Sequence, residues 1–498
     1  MLRLREIGTE SDQVMIECAA YSEMAGPWKL IDALLGGRTA MQAGGKTWLK
    51  KEDIESEKAY QSRLERSHLF SGYQDATSKL IEKPFQRPVT IKKLDSLSPA
   101  LQAISDDANG SGQSLTKFAS TLFHDLVHRG ITHFYVDLSA DSAPATDADI
   151  LGGSRHPYFV HVPAARVIGW RDREGVNGKR ELTQVRIVEY ASVDAGDFGT
   201  KLVRRVRVWY PQHWELWQAK EGEEKVGVLI DTDTHELGGV PLITVNIRPM
   251  GFMVAKPPLE ALADLNLEHY QLSSDESNSM HYASIPFLHR TGVPEGKQGE
   301  PLQLSSSGVL YDSDTNARVQ WIESSGGSLS LIAGKIARLE DRMQKIGMAP
   351  MLDRVSPRTA TEASSDRDDA LSTLHSWVGE LNDALFDGYK RASELVENSK
   401  LPKDFAVSVY SEWQVAVGDS QGQTTIMTLM RERKITDETG LSELNRRGVF
   451  AEGFNPEDEV RKLSQQSEMP NAPTPEQIAE LERIRAAKKI DQGKLNVE

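Results

Sequence analysis

The chain is 498 residues long and acidic: 58 Lys and Arg face 73 Asp and Glu, a formal net charge of −15. That balance disfavours tight binding to phosphate backbones, which needs clustered cations, yet permits a passage through which nucleic acid slides without sticking. The single cysteine, Cys18, excludes an internal disulfide and a cysteine-built zinc site, and no apolar run is long enough to span a membrane. Length predicts about three or four domain-sized units, or one elongated multi-part subunit. The start Met1-Leu2-Arg3-Leu4-Arg5-Glu6 has no signal-peptide core, so a soluble protein made in a reducing, intracellular place is expected.

The first hundred residues read as helices broken by glycines. Asp53 to Leu80 places Ile54, Tyr60, Leu64, Leu69 and Tyr73 amid charge, a surface-helix pattern closed by Pro84-Phe85-Gln86-Arg87-Pro88. Ser114 can cap a helix carrying Leu115, Phe118, Leu122 and Leu126; Gly130 ends it, and Thr132 to Asp137 reads as a strand. From Pro157 to Ile247 the period changes to two. Val185 and Ile187 alternate with polar neighbours, and Leu202 to Tyr210, His213 to Trp217 and Val240 to Ile247 are further strands of one β-rich body. Phe405-Val407-Val409 and Trp413-Val415-Val417 are expected to return to that same sheet.

Pro257-Pro258 opens a helix over Leu259 to Tyr282 whose polar face carries Glu260, Asp264, Glu268, Asp275 and Glu276. A small β insert follows, with Pro286 to His289, Gly308 to Tyr311 and Arg318 to Ile322 as its strands. The next helix repeats Leu329, Ile332, Ile336, Leu339, Met343 and Ile346 at steps of three and four, a narrow seam for packing along another helix. Gly347, Pro350 and Pro357 interrupt it. A last long pattern, Thr361 to Glu397 with Leu371, Leu374, Val378, Leu381, Leu385, Ala392 and Leu395 in phase, predicts a helix of roughly 55 Å. Short helices follow at Thr424 to Arg433, after Thr436, and after Asn455. The tail beyond is polar and lacks a core of its own.

Familiar chemical motifs fail on inspection. Gly45-Lys46-Thr47 lacks the earlier glycine of a phosphate loop, since position 40 is Ala40, and Trp28 to Leu35 reads as helix where a strand is needed. Gly110 and Gly112 form a flexible turn. His235-Glu236 lacks the second histidine of a zinc helix, and His124, His128, His133 and His161 have no ligand spacing. Asp366, Asp368 and Asp369 lie near a helix N-terminus, where negative charge is already stabilised. Lys335, Arg338, Arg342 and Lys345 share the spacing of the seam and form a basic stripe beside it. Structural pairing is the preferred reading of that stripe; the functional one faces DNA phosphates or the acidic helix of a neighbouring copy.

The order of these parts resembles the portal proteins of tailed bacteriophages over roughly residues 50–460. Gly326-Gly327-Ser328-Leu329 leading to Leu339-Glu340-Asp341-Arg342-Met343 and Gly347-Met348-Ala349-Pro350 looks like the second stem helix of that family. Arg358-Thr359-Ala360-Thr361-Glu362-Ala363 looks like its helix start after the tunnel loop, and Leu115 to Asp137 resembles its wing segment. The resemblance implies an α+β portal fold with a β-rich wing, a helical stem, a small β clip, a long wing helix and a helical crown. Its parts would be 1–100, the N-terminal helical part of the wing; 101–256, the α/β wing; 257–286, the first stem helix; and 287–328, the clip. Then come 329–347, the second stem helix; 348–360, the tunnel loop; 361–402, the long helix; 403–419, the returning wing strand; 420–470, the crown; and 471–498, the polar tail. The crown is short and the tail has no firm counterpart.

The same resemblance implies a homo-oligomeric ring, normally of twelve copies, at one capsid vertex of a virion assembled in the host cytoplasm. Double-stranded DNA would pass through its channel, and terminase, head-completion or adaptor proteins, tail proteins and the major capsid or scaffolding protein would be its partners. Arg354 and Arg358 would touch DNA from the tunnel loop. No enzyme activity, cofactor, metal or membrane contact is implied. The competing reading is a monomeric adaptor or scaffold without a DNA channel; an enzyme would need a dense catalytic set that the sequence does not offer.

Overall fold

The computed structural model of the chain describes residues 6–138, 156–175, 178–235, 237–283, 287–291, 318–322, 327–346, 360–397, 400–411, 420–446, 449–450, 454 and 456–468. The fold is α+β and divides into two units, Met1–Ser411 and Glu412–Glu498.

The first unit opens with a two-residue strand, β1 (Glu10–Ser11), and the helices α1 (Ala19–Leu35) and α2 (Gly37–Gly44). The single helical pattern expected over Asp53 to Leu80 is two helices, α3 (Glu57–Arg66) and α4 (Gly72–Glu82). Ser67 leaves helical geometry with ψ 141° and its hydroxyl bonds the Leu64 carbonyl at 2.7 Å, so the chain turns there, where the apolar spacing slips to five between Leu64 and Leu69. A short strand β2 (Thr90–Lys92) and the one-turn α5 (Pro99–Gln102) lead to α6 (Leu115–Arg129). Ser114 caps α6, accepting from the Lys117 N–H at 3.5 Å. Gly130, at φ 80°, ends it in the left-handed region that glycine adopts without strain.

The β region is two sheets rather than one body. Strands β3 (Ile131–Leu138) and β4 (Pro157–Val162) pair with β10 (Leu242–Asn246) in the order β10-β3-β4. The strands between them, β5 (Val167–Glu174), β6 (Arg180–Asp194), β7 (Thr200–Trp209), β8 (His213–Lys220) and β9 (Glu223–Thr234), form an antiparallel meander closed at one edge by β1. Val188, Val206, Val208, Trp217 and Leu229 bury one face of the meander against Tyr21, Met24 and Trp28 of α1. Arg186 holds the N-terminal segment down, donating from Nη1 to the carbonyls of Gln13, Val14 and Ile16 at 2.8, 3.2 and 2.6 Å.

A turn through β11 (Pro249–Gly251) and β12 (Val254–Ala255) reaches α7 (Glu260–Ala283). A hairpin of β13 (Phe287–Thr291) and β14 (Arg318–Ile322), paired antiparallel, separates α7 from α8 (Gly327–Ile346). The proposed strand Gly308 to Tyr311 lies outside the described residues. The long pattern is one helix, α9 (Ala360–Glu397), of 38 residues. Leu371, Leu374, Val378, Leu381, Leu385 and Ala392 are buried along it, as their spacing requires. Tyr389 meets Phe159 of β4 at 5.9 Å between ring centroids, joining α9 to the aromatic cluster of Phe118, Phe134 and Phe159. Each such ring, fully buried, stabilises by about 1.5–3 kcal/mol over exposure.

One expectation is corrected here. The returning strand β15 (Ala406–Ser408) joins neither larger sheet; it pairs with β2 in a two-stranded ribbon. The cause is the long helix itself. Phe405 packs on Phe386 and Tyr389 of α9, and the Val409 N–H donates to Asn382 Oδ1 at 2.8 Å, so the alternating apolar side chains are satisfied by a helix. The second predicted strand, Trp413 to Val417, lies outside the described residues.

The second unit contains α10 (Ser420–Arg431), α11 (Asp437–Arg446) and α12 (Pro456–Glu468). Thr436 caps α11 by accepting from the Thr439 N–H at 3.2 Å, and Ile426 and Leu444 are buried.

Candidate functional site

The antiparallel pair α7 and α8 is where the sequence placed its candidate residues. Leu339 and Met343 are each 3% exposed, whereas Leu329, Ile332 and Ile336 are half-buried and Ile346 is exposed, so the seam tightens toward the end of α8. Polar contacts set the register. Glu268 of α7 meets Lys335 of α8 at 2.7 Å, and the buried His269 Nε2 lies 3.2 Å from Glu340 Oε1 with its ring stacked on Phe70 at 4.8 Å.

The N-terminal helices brace α7 from its other side. Arg63 is nearly buried; its Nε and Nη2 donate to the two Glu55 oxygens at 2.9 Å each, and Nη1 reaches Asp275 of α7 at 3.4 Å. The bond from Arg63 holds the Glu55 carboxyl below its ordinary range. Burial pushes Asp275 the other way, outweighing the longer contact to Arg63. Asn266 accepts from the Tyr73 N–H at 2.7 Å and donates to the Phe70 carbonyl at 2.9 Å, while Tyr270 and Ser67 share a hydroxyl contact at 2.8 Å. The first of the two helices is thus locked into the body through residues 55–73.

The basic stripe is split in its use. Lys335 pairs with Glu268 across the helices, and Lys345 with Asp341 of its own helix at 2.6 Å. Arg338 and Arg342 are exposed and make no ion pair among the described residues. Arg354 and Arg358 lie outside the described residues, as do all of 347–359. Sequence reading passed over a second row: Glu380, Asp383, Asp387 and Glu394 stand on the exposed face of α9. Its signal was the same spacing of three and four that revealed the basic stripe. The Arg63–Glu55 lock left no such signal, because its partners are joined by folding rather than by helical repeat.

A second polar cluster lies deeper. Asp125 of α6 accepts from Arg129 at 2.6 Å, Thr132 at 2.9 Å and the Ala164 N–H at 2.9 Å. Burial opposes its charge, but His161, Arg129 and the Ala164 N–H outweigh that and hold its carboxyl at about 2. Burial keeps the nearby His133 and His128 neutral, with values lowered to about 4 and about 3. These groups are enclosed, and they join α6 to the three-stranded sheet. A cavity of about 590 Å³ near Arg173, Arg180, Phe252, Met253 and Arg391 is lined among the described residues by no histidine, cysteine or serine. Among the described residues no group of three or more His, Cys, Asp or Glu is placed to hold a metal ion, and no helix is long and apolar enough to cross a membrane.

A family model described as a domain of unknown function (DUF4055) matches residues 258–392, the stretch from α7 through most of α9. No curated protein matches the chain. Among solved structures, the chain is similar to one in the neck of an empty gene transfer agent (GTA) particle computed with C6 symmetry. Identity is 11%, coverage is 76% of this chain and 90% of that one, and the TM-score is 0.40. A chain of the native gene transfer agent virion (11% identity, 75% and 89% coverage, TM-score 0.39) and one of the native neck computed with C12 symmetry (11%, 74% and 88%, 0.40) are similar to the same degree.

Proposed function

We propose that the chain is a portal subunit: a ring-forming head-to-tail connector of a phage-like particle, with no catalytic role. The observation that carries this reading is the order of parts from α7 to β15. A helix runs out, a β hairpin tips it, a second helix runs back, and a 38-residue helix leads to a short strand packed on it. In this reading α7 and α8 are the stem, 287–328 is the clip where terminase and the head-completion or tail proteins dock, and 348–360 is the tunnel loop. A ring, normally of twelve copies, then forms the channel for DNA packaging and ejection at one capsid vertex. The net charge of −15 supports a conduit that does not hold DNA tightly. Sparse arginines, Arg354 and Arg358, supply weak and salt-sensitive contact, repeated around the ring.

The test is the double substitution Arg354→Ala with Arg358→Ala in a reconstituted packaging reaction. Rings of unchanged mass with impaired DNA packaging or retention are expected. Normal packaging by those rings removes the two arginines from the mechanism, and packaging that proceeds without this chain contradicts the portal reading.

A further inference from the structure

Two rows of charge on different helices match in sign reversal and in spacing. On α8, Lys335, Arg338 and Arg342 follow one another at steps of three and four residues; on α9, Glu380, Asp383 and Asp387 follow at the same steps. Each row therefore covers about 10 Å of helix. All six side chains are exposed. Lys335 has its Glu268, but Arg338, Arg342, Glu380, Asp383 and Asp387 have no ion pair among the described residues. Like charges three or four residues apart on a helix repel, so each row destabilises its own helix slightly while unmatched. The apolar face of α9 is already spent on the core, so its acidic row points away from the body. Leu331, 75% exposed, continues the line of the basic row one turn before Lys335.

We infer that the basic row of α8 in one copy docks on the acidic row of α9 in a second copy. The inference rests on the ring reading above and names the surfaces that would join its subunits. Because the two rows are different patches, every copy both offers and receives one. Contacts of that heterologous kind extend from copy to copy and close into a ring where the rotation permits. A single exposed ion pair contributes little. Several pairs at each of many equivalent interfaces hold through their number, and as contacts between charges they weaken as salt rises.

The experiment uses the full chain at physiological salt, with mass read by light scattering. One variant carries Arg338→Glu and Arg342→Glu, a second carries Asp383→Lys and Asp387→Lys, and a third carries all four. Each reversed pair is expected to shift the protein from ring mass toward the 55.3 kDa monomer, raising the concentration for half-assembly at least about tenfold. The four-fold variant, whose rows are complementary again, is expected to recover the ring. Unchanged assembly by either reversed pair overturns the interface, and so does a four-fold variant that stays monomeric. Wild-type rings alongside either result leave the ring reading standing; a wild-type monomer at every salt and concentration removes the ring and the interface together.

Discussion

Glu268 and Lys335 lie 2.7 Å apart across the α7–α8 pair, while Arg338, three residues further along the same face, meets no carboxylate among the described residues. One cation of the row fixes the helix pair internally, and the next is exposed. The division follows from helix geometry: the flank of the stripe nearest the seam reaches the partner helix, and the rest turns away from it.

The helix pair is expected to fail if α8 is broken at its tightest point. Leu339→Pro removes a backbone donor within α8 and withdraws a buried side chain, at a cost of about 3 kcal/mol or more. Loss of ring particles in negative-stain images is the expected result. Intact rings from this variant would count against the helix pair as the structural spine.

Removing one partner of the Arg63–Glu55 pair should be far more damaging than an ordinary surface change. Glu55→Ala leaves a guanidinium whose side chain is 5% exposed with the Lys50 carbonyl, the Tyr60 ring and its long Asp275 contact, but without its paired carboxylate. Destabilisation of about 3–5 kcal/mol is expected in urea unfolding. Lys46→Gln, which breaks an exposed pair with Glu57, should change stability by less than about 1 kcal/mol and serves as the comparison.

The long helix approaches the three-stranded sheet through Gly388. A Cβ added there would lie 2.9 Å from Phe134 Cε2 and 3.2 Å from Phe159 Cζ, so Gly388→Ala forces two packed rings to move. A loss of about 1–3 kcal/mol is expected, even though alanine is the better helix former. A stabilised variant would show that the rings yield freely.

Acid sensitivity should have two stages. His133 and His128 are held neutral in the fold, with values lowered to about 4 and about 3 from the ordinary 6.5. The unfolded chain therefore binds more protons below pH 6.5, and stability falls as pH drops from there toward 4 and then 3. The His133 part amounts to roughly 3 kcal/mol. Asp125 acts in the same direction at lower pH: its carboxyl is held at about 2, so its stabilising effect is complete above 3.8 and is lost as pH falls through 2. Chemical unfolding from pH 7 to pH 4 should show the first stage, and His133→Asn should reduce its slope, leaving the His128 share. An unchanged slope would place the titration elsewhere.

The helices were legible in the sequence because their burial is periodic. The run Leu371, Leu374, Val378, Leu381 and Leu385 foretells α9 almost to its ends. Strand partners were less so. Ala406–Ser408 alternates like any half-buried strand, and nothing local says that its partner is Thr90–Lys92 or that a helix covers it. Glu10–Ser11 is too short to show a period and is placed by its pairing with Gly227 and Val228, far away in sequence. In the candidate site, the basic stripe could be read from spacing, but which of its members are paired depends on Glu268 and Asp341. The bracing of α7 by Arg63, Ser67 and Tyr73 exists only after folding.

The portal reading stands most directly on the mass of the purified full-length protein, measured by light scattering with negative-stain images of the same peak. A ring of about twelve subunits with a central hole is expected, and its assembly weakens as salt rises. A clean 55.3 kDa monomer at every salt and concentration would contradict it and favour an adaptor that forms no channel.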